Sequence, residues 1–225
     1  MKKVGSIDIW SHYYERKNLP TWPSETLVRS LKGSYIDGID KKYKGKRVLD
    51  IGFGDGGNLF FLDTLEMKLY GVELSQKICE VTKERLTASG IEADLRVGSN
   101  ACIPFPDGYF DLLVSWNVVH YGPDLDTIDR HIAEYARVIK AGGRVVVASV
   151  GPDDDLAKTA ELLGERQHKI NLKGDHRLGE IYYYFGTQKF MRSCFKKYFT
   201  QIKTGREKVN LFDCDIDSLL LTAVK

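Results

Sequence analysis

Val48–Leu62 reads VLDIGFGDGGNLFFL, and the reading of this stretch decides the fold. Its apolar opening runs into Gly52, Gly54 and Gly57, spaced G-x-G-x-x-G, and a helix-like apolar pattern follows. Glycines between a strand and a helix let the backbone approach a ligand closely, and the helix start adds oriented N–H groups. Glu73 stands about 20 residues further on, at the end of the next apolar run, where a carboxylate can accept from two ribose hydroxyls. The stretch therefore predicts a pocket for an adenosine compound. It does not say which one.

Working outward, apolar runs recur at Arg47–Ile51, Lys68–Glu73, Ala93–Gly98, Phe110–Trp116 and Gly143–Val150, each apolar almost throughout, as strands covered on both faces should be. Helical patterns at about Gly57–Glu66, Gln76–Ser89 and Leu125–Lys140 separate them, which predicts βαβ units and a parallel sheet. Beyond a helical pattern at Thr187–Lys197 the alternation stops. Two strand-like runs, FTQIKTG and DSLLLTAV, flank a polar segment, REKVNLFDCD, too short for a crossover helix, so an antiparallel pair is expected.

The chain of 225 residues suits a single domain, and its 33 basic against 31 acidic residues argue for no polyanionic partner. The basic run Lys41–Arg47 reads as a solvated linker. Cys79, Cys102, Cys194 and Cys214 form no C-x-x-C pair and have no histidine at ligand spacing, which favours reduced thiols and no metal site. The first residues carry no signal-peptide core, and no apolar run approaches membrane-spanning length. A soluble, cytoplasmic protein that binds neither nucleic acid nor membrane is expected.

Asp50 discriminates between ligands. A dinucleotide site usually has an apolar residue two positions before the first glycine; a carboxylate there repels phosphate but suits a ligand with an ammonium and a sulfonium. A NAD(P)-dependent oxidoreductase is disfavoured accordingly. VLDIGFGDGGN, YGVELS, IPFPDGYFDLLVSWNVVHY and EYARVIKAGGRVVV, in this order from about Arg47 to Val150, resemble the motifs of class I S-adenosylmethionine-dependent methyltransferases of the small-molecule type. The resemblance implies an α/β, Rossmann-like seven-stranded sheet in the order 3-2-1-4-5-7-6, mostly parallel with the last strand antiparallel and helices on both faces. It also implies that residues 1–45 form a helical lid, 46–150 the cofactor-binding core, 151–198 a substrate-covering region and 199–225 the terminal strand pair.

Carried over by position, Asp50, Gly52 and Gly54 line the methionine part of S-adenosyl-L-methionine, Glu73 holds the ribose and Leu74 packs on adenine. Asn100, with Ala101 beside it, would contact the base through its amide oxygen; Ser99 stands where the family often has an aspartate. Trp116 and Asn117 fall on the methionine side. Ser75 is expected to cap the following helix and Gly57 to ease the start of the one before.

Methyl transfer needs alignment, exclusion of water and, for some acceptors, removal of a proton. His120, in the loop after the fourth strand, is the candidate general base, because an imidazole titrates near neutrality. A pocket-lining or structural histidine is the competing reading. His12, His131, His168 and His176 have no constellation that recommends them. The segment lacks an N-P-P-Y-like tetrad and a Pro-Cys nucleophile, and Asn117 and Ser149 stand where metal-dependent relatives place acidic ligands. A metal-independent O-, N- or C-methyltransferase acting on a small molecule is the leading expectation, and a non-catalytic binding subunit the alternative. Trp10, Tyr13, Tyr14 and Trp22, near a helical pattern at Ser24–Leu31, and the run Tyr182–Phe185 are candidate walls of the site.

Overall fold

The computed structural model describes Trp10, Tyr13, Tyr14 and residues 21–225. His12 and the rest of the N-terminal segment fall outside them. Strand β1 (Arg47–Ile51) lies between β2 (Lys68–Glu73) and β4 (Phe110–Trp116), parallel to both. β3 (Ala93–Val97) extends one side and β5 (Ile139–Val150) the other. β10 (Cys214–Val224) inserts antiparallel between β5 and β9 (Thr200–Leu211), completing a seven-stranded sheet ordered β3-β2-β1-β4-β5-β10-β9. The expected topology is the one observed. Direction of winding reverses between β1 and β4, and a crevice opens there beyond the strand ends.

Alternation along β1 feeds both faces. Val48 joins the core beneath helices α1 (Glu25–Lys32), α2 (Gly57–Asp63) and α3 (Gln76–Ala88), with Leu27, Leu31, Leu59 and Ile78. Leu49 and Ile51 join the opposite core, beneath α4 (Leu125–Val138) and α6 (Gln188–Phe195), with Ile128, Ile132, Met191 and Phe195. Helix starts are set by the residue types expected: Ser24, Asp124 and Thr187 accept from Leu27, Thr127 and Phe190 N–H groups. Ser75 holds the cap position of α3, but its hydroxyl makes no cap bond.

Three local expectations change. REKVNLFDCD is no separate linker: β9 and β10 run through it and turn at Phe212 and Asp213, with Phe212 at φ 56° and 95% exposed. The long hairpin shows only weak alternation because much of β9 is exposed. Gly57 does more than start a helix, since a Cβ there would lie 2.3 Å from the Trp22 carbonyl oxygen. Residues 151–198, beyond short helix α5 (Asp155–Thr159), contain a small antiparallel sheet of β6 (Glu161–Leu162), β7 (Gln167–Lys169) and β8 (Ile181–Tyr183) that periodicity did not reveal. Strands of two or three residues are too short for a period to register. No helix of the described residues is long and apolar enough to cross a membrane.

Candidate active site

A cavity of about 600 Å³ occupies the crevice. One half is built by the ends of the parallel strands. Gly52, after β1, adopts φ +67°, and a side chain there would drive a Cβ to 2.5 Å from Val118. Gly54 adopts φ +51° with the Tyr14 ring against it, and Thr82 donates to its carbonyl over 2.7 Å. Glu73, at the end of β2, accepts from the Gly54 N–H at 3.2 Å and the Leu74 N–H at 2.8 Å. These bonds tie the carboxylate to the glycine loop, while burial raises its pKa above the ordinary value.

Asp50 lies beneath the loop, 1% exposed. Its Oδ2 is buried and has no hydrogen-bond partner. Burial, then Glu73 and Asp55, push its pKa well above the carboxylate range. Such a group is costly in isolation and is relieved by a cation. An ammonium-bearing ligand fits this end of the cavity.

Of the residues expected to touch the cofactor, Gly52, Glu73, Leu74, Asn100, Trp116 and Asn117 line the cavity; Asp50 and Gly54, on either side of Gly52, are buried and do not line it. Ala101 does not line it; it is exposed on the turn that follows. Asn100 is already engaged: its Oδ1 accepts from the Tyr135 hydroxyl and its Nδ2 donates to the Val118 carbonyl at 3.3 Å. One lone pair of that oxygen is left for the base, where the sequence suggested an unencumbered acceptor.

His120, the candidate base, stands apart from the cavity lining. It is 2% exposed, and its Nδ1 lies 3.0 Å from the Ser149 hydroxyl. Burial first, then Arg177 and His131, push its pKa down to about 3. A side chain so placed is a poor proton acceptor for anything in the cavity. The unfolded imidazole takes up a proton near 6.5 and the folded one only near 3, so stability present above 6.5 is lost as pH falls toward 3. His120→Asn should flatten that acid limb in urea denaturation and leave the pH dependence of turnover unchanged through neutrality. Loss of a rate inflection in the variant would restore His120 as a base.

The other half of the cavity carries aromatic walls. Trp10 meets Tyr121 and His176 edge-on at 5.6 and 5.1 Å, and Tyr13 stacks on His176 at 3.7 Å. Trp22 takes no part; it is 79% exposed. Helix α1 does not cover the cavity either, because Leu27 and Leu31 turn into the core beneath the sheet. Tyr182, Tyr183 and Phe185 are buried in the cores, and the wall comes from just before them: His176, Arg177, Glu180 and Ile181.

These residues were missed from sequence. They ride the β7–β8 connection, whose neck is closed by Ile170 N–H to Glu180 and Gly179 N–H to Ile170, both 2.9 Å. The two glycines flanking Asp175-His176-Arg177, Gly174 at φ +87° and Gly179 at φ +93°, were the available signal. Arg177 grips Asp175 through Nε and Nη2, at 2.8 and 2.6 Å, and stands close to the Tyr121 hydroxyl. Burial pushes the Tyr121 phenol up to about 12 against the opposing pull of Arg177.

A glycine loop after the first strand, a carboxylate at the end of the second and a buried, unpartnered acid meet at the switch point of the sheet, the place where open α/β sheets bind ligands. Residues 48–143 match the family model described as "Methyltransferase domain". The matched stretch, under half of the chain, runs from β1 into β5 and is similar to methyltransferase domains. Sterol 4-C-methyltransferase strm-1 of Caenorhabditis elegans is 26% identical over 190 residues, covering 76% of this chain and 54% of the relative. The ubiquinone/menaquinone biosynthesis C-methyltransferase UbiE of Francisella tularensis is 30% identical over 132 residues, covering 56% and 47%. The chain thus spans about half the length of these relatives. A solved phosphoethanolamine N-methyltransferase of Haemonchus contortus, in complex with S-adenosylhomocysteine, shares the fold at a TM-score of 0.66 and 17% identity, covering 100% of this chain and 61% of that one.

Proposed function

We propose that the protein transfers a methyl group from S-adenosyl-L-methionine to a small-molecule nucleophile held against the aromatic half of the cavity. The observation that carries this reading is the partnerless Asp50 Oδ2 at the glycine-loop end. A sulfonium cofactor supplies a methyl carbon already activated for displacement. The chain's own contribution is to bind and align. In this reading Asp50 receives the ammonium, Glu73 the ribose hydroxyls and Leu74 the base, while Gly52 keeps the backbone close. Trp10, Tyr13, Tyr121 and His176 exclude water and flank the acceptor, and Arg177 with Glu180 gives that half its polar contacts.

The sequence leaves oxygen, nitrogen and carbon open as the atom methylated. The two relatives named above as C-methyltransferases favour carbon. The proposed division is a core at 46–150 with covering segments from the N-terminus and 151–198, in one domain.

Calorimetric titration tests the reading. S-adenosylhomocysteine should bind, NADH should bind far more weakly, and Glu73→Gln should weaken S-adenosylhomocysteine by about ten-fold, the scale of one hydrogen-bonded charge. Tighter binding of NADH than of S-adenosylhomocysteine would reject it. Binding without turnover on any acceptor, with stable co-purification of another chain, would favour a non-catalytic subunit instead.

A further inference from the structure

We propose that Tyr135 is a positioning residue for base recognition: its hydroxyl, together with the Val118 carbonyl, holds the Asn100 carboxamide in the one orientation whose remaining edge matches adenine and opposes hypoxanthine. This rests on the cofactor reading above.

Tyr135 lies on α4, is 0% exposed and is not among the cavity-lining residues, so its hydroxyl acts only through neighbours. That hydroxyl donates to Asn100 Oδ1 and lies 3.0 Å from Ser115 Oγ on β4. Because Tyr135 gives its single proton to the amide oxygen, Ser115 is the donor of the second bond, and the three groups form a directed chain. On the other side Asn100 Nδ2 donates to the Val118 carbonyl. A carbonyl only accepts, so Val118 admits the NH₂ and excludes the amide oxygen. The oxygen is thereby turned to Tyr135.

A carboxamide has two lone pairs and two N–H donors. One of each is used internally, which leaves an acceptor beside a donor on a residue that lines the cavity near Glu73 and Leu74. Adenine offers an amino donor beside a ring acceptor, the complement by which carboxamides read this base bidentately in other settings. Hypoxanthine replaces the amino donor by a carbonyl acceptor, and on the N1 side it also turns the ring acceptor into a donor, so the same carboxamide edge is opposed at one atom or at both. With two tethers the amide plane is fixed; with one, it pivots about the Val118 bond and the discrimination softens. Ser99 also lines the cavity, but a hydroxyl both donates and accepts and so does not by itself tell the two bases apart; the orientation-dependent part of the selectivity resides in Asn100.

The test is calorimetric binding of S-adenosyl-L-homocysteine and S-inosyl-L-homocysteine to wild type, Tyr135→Phe, Asn100→Ala and the double variant. Tyr135→Phe should weaken the adenosyl ligand by about ten-fold and the inosyl ligand by less than about two-fold, narrowing the preference. In the Asn100→Ala background it should change neither, because the hydroxyl then has no amide to hold. A merely structural tyrosine would weaken both ligands alike and cost the same in both backgrounds, and either result overturns the proposal. Ser115→Ala cuts the far end of the same chain and leaves the ring in place; it should narrow the preference in the same direction and serves if Tyr135→Phe does not fold. An unchanged preference in the folded variants also overturns it. A wild-type protein that binds no S-adenosylhomocysteine removes the cofactor reading and this inference with it, whereas intact binding with additive effects removes this inference alone.

Discussion

Asp50→Asn is expected to weaken S-adenosylhomocysteine binding at least about 100-fold, the consequence of removing one partner of a buried charge pair worth roughly 3–5 kcal/mol. The same substitution should leave the ligand-free protein no less stable, and by thermal melting more so. A carboxyl group that is 1% exposed, with one oxygen unpartnered and with Glu73 and Asp55 adding repulsion, is a cost to the empty fold. Function here draws on a locally unfavourable group that a ligand relieves. The sign of the pH dependence follows. In the empty protein the raised pKa keeps Asp50 protonated above the ordinary carboxylate range, and an incoming ammonium requires the ionised form. Binding therefore releases a proton, and affinity rises with pH from the ordinary range up to the raised value, then levels. Titration in buffers of different ionisation enthalpy reads that proton directly. Proton uptake on binding, or an Asp50→Asn variant that binds normally, would sink the assignment of the ammonium to Asp50.

Gly52→Val should abolish measurable cofactor binding and lower stability by about 2–4 kcal/mol, combining left-handed strain with overpacking. Gly52 sits at φ +67°, its N–H bonds the Val72 carbonyl at 2.8 Å, and a Cβ would strike Val118 at 2.5 Å. The loop has no room to relax, since the chain on either side is held by that bond and by the Glu73–Gly54 contact. Gly57→Ala, by contrast, should cost stability with little direct effect on binding, because its close neighbour is the Trp22 backbone. Parallel denaturation and binding measurements on the two variants separate these roles. Equal losses of affinity in both would mean that the third glycine belongs to the site after all.

The glycine-loop half of the cavity was legible because it is local. Asp50, Gly52 and Gly54 occupy one strand-to-loop transition, and Glu73 ends the strand paired beside it, so sequence spacing maps almost directly onto space. The aromatic half joins Trp10, Tyr121 and His176, which no spacing rule connects. His120 illustrates the limit in the other direction. Its residue type and place in the chain suited a base, but neighbours distant in sequence, Ser149 on β5 among them, bury it and keep it neutral. Exposure of a loop side chain is a property of what packs over it. For the same reason the solvent-facing stretch of β9 carries little strand signal in its sequence: strand pairing with β10, not burial, holds it extended.

The sequence by itself determined the alternation of strands and helices, the terminal antiparallel pair, the glycine loop and the place of the acid Asp50, because backbone conformation at glycine and the cost of an apolar-flanked carboxylate are encoded within a few residues; the full sheet order followed from the family resemblance. Only the tertiary structure decided that Asn100 is pinned by Tyr135 and Val118, that His120 is withdrawn from the cavity, and that His176, Arg177 and Glu180 form its far wall. Those outcomes depend on which side chains the folded chain brings within a few ångströms of one another, and hydrogen bonding and desolvation act at that range alone.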